Sequence, residues 1–236
     1  MAVKGVIYLI PLPLSPEGLP ALIPLAEPYV RHIRHFVVEN IRTSRRFLRA
    51  VDADFPIDEC MFFEMDKHED YRFDARVLDI LNNGSDIGIM SEAGCPAVAD
   101  PGYQVVAAAH RQNIKVIPLP GPNSMIMALM ASGFKGQAFT FHGYLPVDTA
   151  SRRQMLLQIE KNGQAGYPQI FMETPYRNNQ LLDDIISWLQ PSTLLCVAAN
   201  ITASNEMIQT RSLAEWSTAK PNLHKIPAVF IIGKTK

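Results

Sequence analysis

Ser91-Glu92-Ala93-Gly94-Cys95-Pro96-Ala97-Val98-Ala99-Asp100-Pro101-Gly102 is the stretch on which the reading of this chain turns. It follows Ile87-Gly88-Ile89-Met90, an apolar run with the length of a buried strand. It precedes residues 103–112, rich in Val and Ala, which read as a helix. Between them stand two Gly, two Pro, two acids and a Ser. Such a loop costs backbone entropy and buries little. In an α/β protein a long loop at the carboxyl end of a strand is where ligands bind. The plain alternative is an elaborate strand-to-helix connection.

Working outward, strand and helix patterns alternate. Gly5-Val6-Ile7-Tyr8-Leu9-Ile10 is apolar on both faces, which suits a central parallel strand, and Pro11, Pro13 and Pro16 end it. Residues 19–26 read as a short helix weakened by Pro20 and Pro24. Phe36-Val37-Val38 and Met61-Phe62-Phe63-Glu64 read as strands, and 74–81 as a helix closed by Asn82-Asn83-Gly84. Ile114-Lys115-Val116-Ile117 is a fifth strand. This alternation predicts a parallel, doubly wound α/β domain. Pro118-Leu119-Pro120-Gly121-Pro122 then interrupts the chain, and Asn123 or Ser124 is placed to cap an apolar helix over 125–132. The free N–H groups at that helix start are equally suited to a ligand carboxylate. The pattern restarts with strands at 139–144, 169–173, 194–199, 206–210 and 228–232 and helices at 151–161 and 176–189. Two α/β domains are expected, 1–118 and 119–236, with a ligand cleft between the modules.

The chain has 236 residues, 47% hydrophobic and 19% charged, which fits a folded enzyme rather than a disordered tail. Its net charge is −1, so a nucleic-acid partner would have to be held by a local patch. Such a patch is offered by residues 40–51, a predicted helix with Arg42, Arg45, Arg46 and Arg49 on one face and Phe47, Leu48 and Val51 on the other. Arg31, His32, Arg34 and His35 lie just upstream, and only Glu39 offsets the cluster locally. A solvated helix face is the ordinary reading. Four arginines with no interleaved acid repel one another, however, and their forked donors suit phosphates. Arg152 and Arg153 form a second candidate patch. Cys60, Cys95 and Cys196 are too far apart for a disulfide framework or a zinc site. The apolar start is broken by Pro11 and Pro13, and no segment reads as a membrane span. A cytoplasmic protein without membrane attachment or metal is expected.

The familiar catalytic signatures are missing. No G-x-G-x-x-G follows the first strand, and the chain has no Walker A Lys-Ser/Thr, no H-E-x-x-H and no G-x-S-x-G. The residues by themselves therefore reach a two-module, cleft-binding α/β protein with a basic helix, and no particular reaction.

The blocks taken together resemble the tetrapyrrole-methylase superfamily, the class III S-adenosylmethionine-dependent methyltransferases. The match runs from Ser91-Glu92-Ala93-Gly94-Cys95-Pro96 and Asp100-Pro101-Gly102 to Pro118-Leu119-Pro120-Gly121-Pro122-Asn123-Ser124 and Ala131-Ser132-Gly133-Phe134. It continues through Phe141-His142-Gly143-Tyr144-Leu145-Pro146 and Glu173-Thr174-Pro175-Tyr176-Arg177, with order and spacing kept. Within the superfamily the chain is most similar to the small-subunit rRNA 2′-O-ribose methyltransferase I type. It departs from that branch at five places, one of them the His-rich stretch after the third strand, which residues 64–68 echo only loosely. The Pro-x-Pro-x-Gly-Asn turn is Pro11-Leu12-Pro13-Leu14-Ser15-Pro16, Glu-Asp-Thr-Arg is Glu39-Asn40-Ile41-Arg42, Arg-Glu-x-Thr is Ala199-Asn200-Ile201-Thr202, and Gly-Glu is Ile226-Pro227.

The resemblance implies two α/β domains with S-adenosylmethionine folded into the cleft between them, and a homodimer. By position it assigns the cofactor to Pro11, Pro13, Glu92, Ala93, Gly94, Pro96, Val98, Ala99, Ser124, Met172, Glu173, Ala199, Asn200, Pro227 and Ala228. Cys95, Asp100 and Gly102 would shape the loop. The implied reaction is methyl transfer to a ribose 2′-hydroxyl of ribosomal RNA. Glu39 and His68 are the candidate bases for the hydroxyl proton. Two alternatives are a methyltransferase of a tetrapyrrole or other small molecule, and a cofactor-binding homologue without transfer activity.

Overall fold

The structure is a computed structural model that describes residues 3–65 and 74–235. The chain divides into two compact units, 1–123 and 124–236, each with its own five-stranded sheet.

Unit 1 contains β1 (Val6–Leu9), α1 (Leu19–Val30), β2 (His35–Val38), α2 (Ile41–Val51), β3 (Met61–Glu64), α3 (Arg76–Asn82), β4 (Ile87–Met90), α4 (Tyr103–Arg111) and β5 (Lys115–Pro118). The strand order is β3-β2-β4-β1-β5 and every neighbouring pair is parallel. Strand alternation sends Phe36 and Val38 to one face and Val37 to the other. On the first face they meet Leu22, Ala26 and Val30 of α1 and Phe47, Leu48 and Val51 of α2. On the second, Val37, Ile7, Ile87 and Ile89 meet Val77 and Leu81 of α3 and Val105 and Ala109 of α4. Both faces are covered, as a doubly wound sheet requires.

α1 runs to Val30, past the stop expected at Ala26. Pro24 and Pro28 lie inside it, and each withholds one helical N–H. Interior prolines cost about 3 kcal/mol each in an isolated helix. Here Pro20, Pro24 and Pro28 all fall on the exposed side, while Leu22, Ala26 and Val30 are buried at helical spacing. Burial of that face holds the helix against its own propensity.

Unit 2 contains α5 (Ser124–Ala131), β6 (Thr140–Tyr144), α6 (Thr149–Gln164), β7 (Gln169–Met172), α7 (Asn178–Trp188), β8 (Leu194–Ala199), β9 (Met207–Ser212), α8 (Leu213–Thr218) and β10 (Ala228–Gly233). The order is β6-β7-β10-β8-β9. Only β6 and β7 are parallel; β10 runs antiparallel to both β7 and β8, and β8 to β9. One face packs Leu156 and Ile159 of α6, Leu181, Leu182 and Ile185 of α7 and Trp216 of α8 into a single core with Phe171 and Phe230. The buried Trp216 indole donates to the Leu195 carbonyl at 2.9 Å.

Candidate functional site

In unit 1 the loops after β1, β4 and β5 meet at the carboxyl ends of the strands. Leu12 and Gly94 form an isolated antiparallel bridge, each donating its N–H to the other's carbonyl at 2.9 Å. In that antiparallel register Pro13 runs beside Ala93 and Pro11 beside Cys95. The third loop closes on the first through Gly121, where a Cβ would lie 2.2 Å from Pro11 Cγ. It closes on the second through Cys95, whose Sγ lies 3.3 Å from the Pro122 carbonyl. Burial pushes the Cys95 thiol above its ordinary pKa, partly offset by a hydrogen bond with Asn123. This cysteine is a neutral packing group near pH 7 and not a nucleophile.

The Ser91–Gly102 loop is bent by left-handed residues. Gly94 (φ 71°) and Gly102 (φ 118°) adopt this conformation at little cost. Ala97 (φ 65°) and Ala99 (φ 63°) do so against their Cβ atoms. Backbone held in this region by residues other than glycine collects at binding sites. Ala93, Val98 and Ala99 are exposed, Pro96 and Gly94 buried. The edge thus presents backbone and small side chains and contains no lysine or arginine, so a ligand can approach the chain closely.

The loop is also tied to β2. Glu39 Oε2 accepts from the Glu92 N–H at 2.9 Å, and the Asn40 amide donates to Glu92 Oε1 at 3.0 Å. Asn40 Oδ1 meanwhile caps α2 by accepting from the Thr43 N–H. A carboxylate at position 40 would face Glu92 without a proton to donate. The amide that replaces the branch's acid therefore fits its surroundings, and Glu39 acts here as an acceptor that positions the loop. His68, the other candidate base, lies outside the described residues.

In unit 2 the residues assigned to the cofactor also gather, at one end of the sheet. Met172 pairs with Val229, Ala199 pairs with Ala228, and the Asn200 N–H donates to the Pro227 carbonyl at 3.0 Å. Asn200 (φ 50°), Thr202 (φ 72°) and Lys225 (φ 61°) put left-handed backbone at this end too. Glu173 is buried, and its carboxylate is taken up by the Thr174 N–H at 2.7 Å and by the Arg177 guanidinium at 2.6 Å. It braces the strand end from within. Ser124 is the first residue of α5.

Curated proteins decide the family. The ribosomal RNA small subunit methyltransferase I of Vibrio cholerae is 32% identical over 231 residues, 96% of this chain and 76% of that protein. Those of Pseudomonas aeruginosa and Escherichia coli O157:H7 are 26% and 29% identical over 232 residues, 97% of this chain and 79% and 78% of theirs. This chain belongs to the ribosomal RNA small subunit methyltransferase I family. It is a methyltransferase. No protein-family model matches it. The fold is that of the tetrapyrrole methylases. A uroporphyrin-III C-methyltransferase of Thermus thermophilus aligns with a TM-score of 0.54 at 17% identity, over 98% of this chain and 96% of that one. The methyltransferase CobJ aligns at 0.56 and 16%, over 98% and 94%.

The basic residues separate into two groups. On α2, Arg42, Arg45, Arg46 and Arg49 are all exposed. Acids outside the helix reach the cluster: Asp58 pairs with Arg45 at 3.3 Å, Glu27 and Asp52 pair with Arg31, and Glu59 pairs with Arg34. Arg49 donates to the Ala53 carbonyl. Arg42 and Arg46 have no ion pair among the described residues. Arg42 stands in the first turn of α2, which contains no acid, where the helix dipole disfavours a cation. In unit 2, Arg152 is drawn into the fold. It pairs with buried Asp184 at 2.8 Å, donates to the Pro146 and Val147 carbonyls, and lies over the Trp188 ring. Its guanidinium is committed there, and only Arg153 of that pair faces solvent. No cluster of metal-ligating side chains is found among the described residues, and no helix there is long and apolar enough to cross a membrane.

Proposed function

We propose that this protein transfers a methyl group from S-adenosylmethionine to a ribose 2′-hydroxyl of small-subunit ribosomal RNA, in the cytoplasm. The observation that carries the reading is the Leu12–Gly94 bridge with Gly121 closed on Pro11. It assembles the motif blocks into one backbone-lined edge, in a chain whose curated relatives are named for ribosomal RNA methylation. The cofactor supplies an activated methyl group on its sulfonium. The chain's own task is to align the acceptor oxygen and to exclude water.

The residues fit that ligand. Pro11, Pro13, Glu92, Ala93, Gly94, Pro96, Val98 and Ala99 give a small-side-chain edge in unit 1. The family resemblance also assigns Ser124, Met172, Glu173, Ala199, Asn200, Pro227 and Ala228 of unit 2 to the cofactor. Of these, Met172, Ala199, Asn200, Pro227 and Ala228 offer the strand end, while Glu173 acts through its brace on Arg177 and Thr174. Glu39 holds the Glu92 N–H and positions the loop, rather than taking the substrate proton. Arg42 and Arg46, with Arg45 and Arg49 on the same helix, are the proposed phosphate contacts of the RNA, and Arg153 of unit 2 is a further candidate by itself. A homodimer, as the resemblance implies, completes the proposal. Transfer of labelled methyl from S-adenosylmethionine to small-subunit RNA tests it.

A further inference from the structure

Resting on that reading, we propose that the exposed ring of Tyr176, braced by His224 and Lys225, is a stacking platform for an unpaired nucleobase of the RNA substrate. Tyr176 belongs to the Glu173-Thr174-Pro175-Tyr176-Arg177 block, which the cofactor does not account for in full. It follows the braced strand end at Glu173, and it is 69% exposed.

The ring is held by a built support. His224 meets it edge-on, with centroids 6.2 Å apart and planes at 77°. Lys225 Nζ lies 5.9 Å from the ring centroid. The segment carrying both is strapped to the start of α7 by four hydrogen bonds. The Lys225 N–H donates to the Pro175 carbonyl at 2.9 Å, and the Leu223 N–H to Asn179 Oδ1 at 2.7 Å. The Asn179 amide donates to Asn222 Oδ1 at 2.9 Å, and the Asn178 amide to the Ile226 carbonyl at 2.7 Å. Lys225 is itself in the left-handed region at φ 61°, a conformation its Cβ resists and the strap imposes. A side chain exposed only by chance needs none of this.

The surroundings select the ligand. The named neighbours of the ring are an imidazole, an ammonium and amides, which is a poor setting for an apolar protein hot spot. An aromatic face flanked by a cation is what an unstacked base with its adjoining phosphate requires. Stacking is tolerant of base identity, so the platform adds affinity and fixes the position of the strand without reading its sequence.

The test compares Tyr176→Ala, Tyr176→Leu and Tyr176→Phe with the unchanged protein. The probe is an unmodified transcript of small-subunit rRNA, bound at several salt concentrations, with calorimetric titration of S-adenosylmethionine alongside. Because the side chain is exposed, the melting temperature should not move. Expected are RNA affinities reduced about 5- to 150-fold for Ala and Leu, and retained for Phe. The salt slope and cofactor affinity stay unchanged, since no phosphate contact is lost. Full RNA affinity in Tyr176→Ala, or Leu restoring it as well as Phe does, overturns the platform while leaving the methyltransferase reading intact. An unchanged protein that neither binds the transcript nor methylates it overturns that reading and the platform with it.

Discussion

Leu12 and Gly94 exchange two backbone hydrogen bonds, each 2.9 Å, in an antiparallel bridge above a sheet whose own strands are all parallel. The bridge converts two independent strand-end loops into one surface. Its register depends on Gly94 holding φ 71°, and the third loop depends on Gly121 lying flush with Pro11.

Gly121→Ala tests that surface. Gly121 is not in the left-handed region, so the effect is one of space alone: the new Cβ would sit 2.2 Å from Pro11 Cγ. Forcing the loops apart should weaken S-adenosylmethionine binding about tenfold or more, ~1.4 kcal/mol. Gly136→Ala, whose Cβ meets only Leu129 at 3.7 Å, is the control and should bind normally. Equal calorimetric affinities for the two variants would remove the cofactor from this edge.

Glu39 gives a second test, because its two candidate roles part company in the glutamine variant. As the acceptor for the Glu92 N–H, it should be replaced adequately by Glu39→Gln, whose amide oxygen accepts the same bond. Glu39→Ala should lose cofactor affinity by about 0.5–1.5 kcal/mol, the net worth of one solvent-exposed hydrogen bond. A Glu39→Gln variant that binds cofactor normally but transfers no methyl would make Glu39 the base instead.

For the RNA face, Arg42→Ala with Arg46→Ala should weaken binding and lower the slope of log affinity against log salt by about 1.4, at roughly 0.7 per single-strand phosphate contact. Cofactor affinity should not change. Superimposable salt curves for the variant and the unchanged protein would reduce the face to ordinary solvated charge.

Arg152 should behave differently from every arginine on α2. Removing it takes the cation from Asp184, whose side chain is 8% exposed, and leaves the carboxylate only the Gln180 amide among the described residues. Arg152→Ala should therefore destabilise unit 2 by about 3 kcal/mol in denaturant unfolding. The RNA salt slope of the folded fraction should stay as it was. A stable variant with a reduced slope would return Arg152 to the RNA surface.

Much of this was legible in the residues. The apolar runs gave the strands of both sheets, and the Gly-, Ala- and Pro-rich blocks gave the loops that meet above β1, β4 and β5. What escaped depends on distant parts of the chain. Nothing near Glu39 signals that it reaches Glu92, since the contact exists only because β2 and β4 are neighbours in the sheet. Asp58 reaches Arg45 because the chain turns back after α2, a contact that no pattern within the helix announces. α1 continues through two prolines because burial of Leu22, Ala26 and Val30 outweighs local propensity. α8 is a helix that the expected pattern lacks, although its signal is local: Ser212 and Glu215 form a capping box at the spacing that marks a helix start. Nothing local marks Tyr176 beyond its motif, because its partners His224 and Lys225 lie almost fifty residues on.

The most direct measurement incubates the purified protein with labelled S-adenosylmethionine and unmodified small-subunit ribosomal RNA, then hydrolyses the RNA in alkali. A methyl group on a ribose 2′-oxygen removes the hydroxyl that attacks the neighbouring phosphate, so the label should emerge in an alkali-resistant dinucleotide. Label in mononucleotides would place the methyl on a base. Calorimetric binding of S-adenosylmethionine with no label in the RNA would contradict the central claim, and leave a cofactor-binding fold with a different acceptor or none.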